Sequence, residues 1–296
     1  MNLRQRLTDP RSPDHRPRRA AYVLPSLFTA GNIFLGYVAI IQAFQGAMAE
    51  VTGSGAPAHF EISAKVIGVA VLLDGIDGRI ARLTNTVSDF GREMDSLADV
   101  ITFGIAPAVL AFAWGLRFVD FSQDFVPLDY LFRAGYFVCF LFLLCGAARL
   151  ARFNVTTNPI PKNPRRPDRK YFVGLPIPSA AAMVAAVVFA AGCEPIRWWV
   201  YSVGWMALLV MLSLLMVSMW RYPSFKDISL LKPRSPLTIV FIASIIYLIW
   251  IAAQPVLLCL ATMYVGSGIA LRLGGILRRR FRRGALPNVK PEHQVG

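Results

Sequence analysis

Between Asp74 and Asp99 the chain sets four aspartates in two regular patterns. Asp74, Asp77, Gly78, Ala81 and Arg82 are spaced i, i+3, i+4, i+7 and i+8. On a helix those positions share one face. Gly91, Asp95 and Asp99 are spaced i, i+4 and i+8, again a single face. The surrounding sequence is apolar enough to cross a bilayer, where a charge is costly and ionisable side chains are as a rule functional. Four carboxylates in one site repel one another, so either a cation offsets the repulsion or their pKa values rise. Clustered oxygen ligands with no His or Cys beside them suit a hard divalent ion, Mg2+ or Mn2+. Two such ions held together would clamp a diphosphate. Gly75, Gly78, Ala81 and Gly91 lack bulk on the same faces, leaving room for a ligand or for the other helix. Helix packing in a membrane accounts for such small residues too, but not for the aspartates. Asp89 and Glu93 read as solvated surface at the connecting loop.

Two stripes of this kind meet if their helices are antiparallel neighbours joined by a short loop, here 84–94. A membrane-crossing helix needs about 20 apolar residues. Runs of that kind lie near 23–45, 62–83, 95–116, 131–151, 173–193, 199–220, 237–253 and 255–273. The last two form one long apolar stretch, divided at Gln254–Pro255 because proline breaks or kinks a helix. The fold class expected is therefore an all-α, polytopic membrane bundle of about eight helices. The composition agrees, at 55% hydrophobic and only 16% charged. Residues 1–22 read as a basic arm, 23–273 as the membrane domain and 274–296 as a basic tail.

The charge balance is strongly basic, with 31 Lys and Arg against 17 Asp and Glu and a net charge of +14. In a soluble chain that would suggest nucleic acid. Here the basic residues cluster between apolar runs, which points to anionic lipid heads and membrane orientation. Six Arg precede the first run, six Lys or Arg fall in 152–170, four in 221–236 and seven from Arg272 onward. These are alternate connections of an eight-helix chain, and the intervening ones hold almost none. The positive-inside rule then puts both termini and the loop 84–94 in the cytoplasm, in a cell (inner) membrane. The run "RRFRR" in the tail reads as an orientation anchor. The four cysteines all lie in apolar runs, without a CxxC pair, as small hydrophobes. No cleavable signal peptide is evident in the basic, Pro-containing start. His15, His59 and His293 lie outside the expected spans, so the role of general base falls to an aspartate.

The pattern D-x-x-D-G-x-x-A-R, eight intervening residues, then G-x-x-x-D-x-x-x-D resembles the signature of the CDP-alcohol phosphatidyltransferase family. The resemblance implies an integral membrane enzyme with a six-helix core, which uses divalent metal to displace CMP from a CDP-linked lipid by an alcohol. "PSLFTAGNIFLGY" (25–37), "RLARFN" (149–154) and "YFVGLPIPSAA" (171–181) are similar to the bacterial membrane-integral branch whose acceptor is L-serine. It implies CDP-diacylglycerol, L-serine and membrane lipids as partners, no nucleic acid, and phosphatidylserine and CMP as products. A homodimer is compatible with it. On that basis Asp74, Asp77 and Asp95 are expected to bind metal, with Asp99 as general base and a further metal ligand. Asn32, Gly75, Gly78, Ala81, Arg82 and Gly91 are expected to line the CDP-diacylglycerol site. Arg149, Arg152 and Asn154 are expected to meet serine or a phosphate, although both arginines also suit positive-inside anchors. Asn32 equally suits a contact between helices, and Pro176 and Pro178 suit a helix start. Two alternatives stay open: another acceptor (glycerol phosphate, inositol phosphate or choline), and a divalent-cation transporter with the aspartates as its transport site. Arg82 and the small residues beside the acids favour a phosphate ligand over a bare ion.

The charge pattern makes a direct prediction about orientation. Single cysteines at Pro10, Ser88, Asn163, Ile228 and Lys290 should react with an impermeant thiol reagent from the cytoplasmic side only. Cysteines at Gly55, Gln123 and Pro195 should react from the opposite side. Labelling of Ser88→Cys from the outside would reverse the placement of the aspartates.

Overall fold

A computed structural model describes residues 19–53, 55–84, 89–119, 128–157, 171–223 and 236–284. Helix α1 (Arg19–Thr52) is followed by α2 (Ala56–Thr84) and α3 (Asp89–Asp99). A π-helical segment, Val100–Ile105, carries α3 directly into α4 (Ala106–Gly115). Next come α5 (Leu128–Thr157), strand β1 (Tyr171–Val173), α6 (Ile177–Ala190) and α7 (Trp199–Val217). Strand β2 (Arg221–Pro223), α8 (Pro236–Ile251) and α9 (Ala253–Gly284) complete the order. Of the eight runs read from the sequence, six are helices long and apolar enough to cross a membrane: in α1, α2, the α3–α4 unit, α5, α7 and α9. The other two are shorter apolar helices, α6 of 14 residues and α8 of 16.

The outside of the bundle carries many large apolar side chains. Phe34, Tyr37 and Phe44 of α1, Tyr136, Phe137 and Phe140 of α5, and Trp250 of α8 are exposed. The buried core is rich in small residues, among them Ala39, Ala43, Ala64, Ala70, Ala180 and Ala181. Lipid solvates the outer face, so close approach of backbones holds the helices together. Polar groups inside are mostly answered by backbone carbonyls: Ser63 donates to Ala39 O (2.8 Å), Ser202 to Gly115 O (2.7 Å) and Trp205 Nε1 to Ala111 O (3.1 Å). α1 lies along α2 and against the α3–α4 unit, α5 against α7, and α6 against α2 and α9. α8 packs chiefly on α9, at the edge.

The all-α class holds, with one small addition and three corrections. The addition comes first: Tyr171–Val173 pairs antiparallel with Arg221–Pro223 as a short two-stranded ribbon. Gly174 has φ +80°, and a side chain there would meet the Met216 carbonyl and, at 3.1 Å, Arg152 Nη2. Only glycine turns the chain at that point. Pro176 then caps α6, and Pro178 in its first turn prevents extension toward 173. Second, the break in the last apolar stretch falls at Ala252, not at Gln254–Pro255. Pro255 has no N–H for the carbonyl four residues earlier, Ile251, so the ladder fails upstream of the proline. Third, the loop after α2 is shorter than 84–94, because helix resumes at Asp89. Fourth, His59 lies in α2, within a membrane-length segment, where it hydrogen-bonds Gln42 Oε1 (2.8 Å).

The closest approach near the aspartates is between α1 and the π-helical segment. A Cβ on Gly36 would lie 2.6 Å from Thr102 Oγ1 and 2.9 Å from its Cα. Backbone cannot give way as a flexible side-chain tip can. Gly36→Ala should cost about 1–3 kcal/mol through overpacking, read as a lowered unfolding midpoint in detergent. Because Thr102 lies three residues beyond Asp99, activity should fall with it.

Candidate active site

Asp74 lies in the second half of α2, and Asp95 and Asp99 lie one turn apart in α3. α1 lies against both α2 and α3, on opposite sides of the short connection. Carboxylate oxygens of Asp74, Asp95 and Asp99 come within 4.8 Å of one another. Asp74 of the first stripe thus meets Asp95 and Asp99 of the second. At that distance ionised carboxylates repel strongly in a low dielectric. A hard cation, or retained protons, must relieve the repulsion, and three oxygen donors are a fit for such a cation. Asp77, Gly78, Ala81 and Arg82 follow Asp74 on α2, and their side chains lie outside the described residues. Gly75 is exposed, and a Cβ there would meet nothing within 4 Å, so the helix surface beside Asp74 is open.

The π-helical segment explains how a helix carrying acids also serves as core. Its wider turn shifts the facing of the residues that follow. Asp95 and Asp99 precede it; Thr102, Phe103 and Gly104 within it are buried. Thr102 Oγ1 donates to the Asn32 carbonyl at 2.9 Å. That bond brings Asn32 to about one turn from Asp99. The Asn32 side chain is fully buried, and neither its Oδ1 nor its Nδ2 has a hydrogen-bond partner among the described residues. An amide left in that state costs about 1–3 kcal/mol, so its position beside the acids suits a ligand.

The residues of the "RLARFN" stretch divide among three tasks. Arg149 is only 8% exposed, with Asp99, Tyr264, Arg152 and Asp74 as its electrostatic neighbours, and its Nε has no hydrogen-bond partner among the described residues. It is thereby joined to the carboxylates. Arg152 turns away to the end of α7, donating to Val217 O (2.9 Å) and Ser218 O (3.4 Å). Those carbonyls lack partners in their own helix, and a cation there suits the helix dipole. Asn154 Nδ2 donates to Ser96 Oγ (2.8 Å), and Ser96 Oγ donates to Arg92 O (3.0 Å). Asn154 thus pins the end of α5 to the helix turn that carries Asp95. Gly91 is half-buried near the start of α3.

Three residues absent from the sequence reading join this region. Ser96 receives Asn154. Tyr264 of α9 lies beside Arg149 and shares a side-chain hydrogen bond with Ser179 of α6. Ser96 and Ser179 had no signal beyond proximity to named motifs. Tyr264 is a lone polar group in an apolar run, a pattern that many lipid-facing tyrosines share.

Residues 22–210 match the family model described as CDP-alcohol phosphatidyltransferase. The chain belongs to the CDP-alcohol phosphatidyltransferase family. It is a membrane-embedded transferase, with its helices passing repeatedly through the bilayer. It is 38% identical to the CDP-diacylglycerol–serine O-phosphatidyltransferase of Helicobacter pylori over 213 residues, covering 72% of this chain and 76% of the relative. It is 31% identical to the Bacillus subtilis protein of the same name over 205 residues, 69% of this chain and 91% of the relative. The Methanocaldococcus jannaschii protein of that name is 32% identical over 165 residues, 56% of this chain and 65% of the relative.

Removing a charge from the acidic cluster should show its function. Asp74→Asn or Asp95→Asn should each lower turnover by roughly 100-fold or more, since a lost metal ligand removes several kcal/mol of charge stabilisation. CMP release at saturating substrate measures it, and Mn2+ binding should weaken in parallel. Unchanged turnover in both variants would detach the cluster from catalysis.

Proposed function

We propose that the protein transfers the phosphatidyl group of CDP-diacylglycerol to L-serine, giving phosphatidylserine and CMP in phospholipid biosynthesis. The observation that carries this is Arg149, buried against Asp74 and Asp99: an anion-recognising group beside acids. The relatives named above support serine as the acceptor. Asp74, Asp95 and Asp99, with Asp77 next on the same helix, would hold Mg2+ or Mn2+. When bound, the ion neutralises the diphosphate and makes CMP a better leaving group.

The chain's own residues do the rest. Gly75 leaves the α2 surface open to the cytidine diphosphate, with Gly78, Ala81, Arg82 and Gly91 as further contacts. Asn32 offers an unpaired amide to the nucleotide lipid. Asp99 accepts the proton of the serine hydroxyl as its oxygen attacks the phosphorus that bears diacylglycerol. The bond from that phosphorus to the CMP oxygen breaks, and CMP departs with the electron pair. Arg149 holds the serine carboxylate through paired N–H donors. Arg152 and Asn154 fix the end of α5 from which Arg149 projects. The acyl chains stay in the bilayer while the phosphate reacts near its cytoplasmic surface. Residues 1–22 and 274–296 act as basic segments on the cytoplasmic side of a cell membrane, flanking the membrane domain 23–273.

One assay tests acceptor and metal together. Purified protein with CDP-diacylglycerol should release CMP with serine, and product analysis should find phosphatidylserine. Excess chelator should abolish the reaction, and Mg2+ or Mn2+ should restore it. Lipid formation from glycerol phosphate, inositol phosphate or choline, with none from serine, would overturn the acceptor. Absence of CMP with every alcohol would return the transporter alternative.

A further inference from the structure

The family-matched region ends at residue 210, and α9 lies wholly beyond it. Yet α9 is not a spectator. It packs on α6, the helix that follows the "YFVGLP" stretch, and on β2. Tyr264 of α9 reaches inward, with Ser179 as its hydrogen-bond partner and Arg149 as its charged neighbour. Tyr222 of β2 supports it: the two rings lie 5.9 Å apart, tilted by 33°. Tyr222 is fully buried, and its hydroxyl has no hydrogen-bond partner among the described residues. Burial, with Tyr264 alongside, pushes its phenol up to about 12, so it remains a neutral donor at physiological pH. Gly268, one turn beyond Tyr264, makes the space; any side chain there would strike the Tyr222 ring.

Arg149 is thus a buried cation with both carboxylates and a phenol among its neighbours. Its long side chain has many rotamers, and bidentate capture of a carboxylate needs one of them held. The aspartates alone would draw the guanidinium into a salt bridge and away from an incoming anion. A phenol oxygen competes for the same N–H groups without adding a formal charge.

We propose that Tyr264, seated on Ser179 and Tyr222, is a positioning residue that holds Arg149 toward the acceptor, so that the last helix completes the acceptor pocket. This rests on the assignment of Arg149 to the acceptor. The substrate class it favours is an alcohol carrying an anionic group.

The test is full kinetics on the intact protein. Tyr264→Phe keeps the ring and removes the hydroxyl. It should raise the serine KM about five- to tenfold, with kcat and the CDP-diacylglycerol KM changed less than about twofold. Arg149→Lys should raise the serine KM as well, and the double variant should rise no further than the larger single change, because the two act as one unit. A role in packing alone would lower the unfolding midpoint and leave that KM where it was. Unchanged serine KM, a fall in kcat alone, a rise in the lipid KM, or additivity in the double variant would each overturn the proposal. If Tyr264→Phe does not accumulate, Ser179→Ala should raise the serine KM about two- to threefold, and no rise would count against the proposal equally. A wild type that ignores serine sinks the acceptor assignment alone. Tyr264→Phe is then read on the KM of glycerol phosphate or inositol phosphate, whose phosphates the same guanidinium would hold, and an unchanged KM overturns the proposal there too.

Discussion

Three carboxylates with oxygens within 4.8 Å of one another, inside a helical membrane bundle, repel too strongly to persist without compensation. Much of the surrounding structure follows from that repulsion. Arg149 is buried beside them although burying a guanidinium is costly. The helix face at Gly75 stays open so that a cation and an anionic ligand can enter. The acids also lie on two helices that are consecutive in the chain, which brings three carboxylates to one place in the bundle.

Holding carboxylates in fixed positions demands stiff helices, and the bundle achieves that mainly by close packing. Gly36 allows α1 to touch the π-helical segment next to Asp99. Asn154 and Ser96 tie α5 to α3, and Arg152 ties α5 to the end of α7. The last of these also sits against Gly174, so the turn into α6 and the end of α7 are built around the same guanidinium. Positioning of this kind uses hydrogen bonds to backbone carbonyls, which would otherwise be unpaired at a helix end in an apolar environment.

The reaction proposed for this protein joins a lipid-bound phosphate to a small water-soluble alcohol. A site at one end of a membrane bundle suits both: apolar surface for the acyl chains, polar groups for the headgroup. The short helix α6 and the paired strands contribute to that end. A helix of 14 residues rises about 21 Å, less than the hydrocarbon thickness. It leaves room for β1, β2 and Tyr222 to close over the core, where Tyr264 of α9 joins them.

The sequence by itself determined the helical class, the approximate spans and the meeting of Asp74 with Asp95 and Asp99. The first two follow from the length of the apolar runs, and the third from periodicity, since 3.6 residues per turn and a short loop leave few ways to arrange two polar stripes in an apolar chain. The break near Pro255 was legible for the same local reason, although its position at Ala252 depended on the carbonyl four residues upstream. Tertiary structure alone decided the different fates of Arg149 and Arg152. Three residues apart on one helix, they read alike, yet one is buried among carboxylates and the other caps α7. It also decided that Tyr264, more than 100 residues from Arg149 in the chain, should stand beside it. Local spacing reports which residues share a helix face; which face meets which is set by small-residue packing between distant helices, and that information is spread over the whole chain.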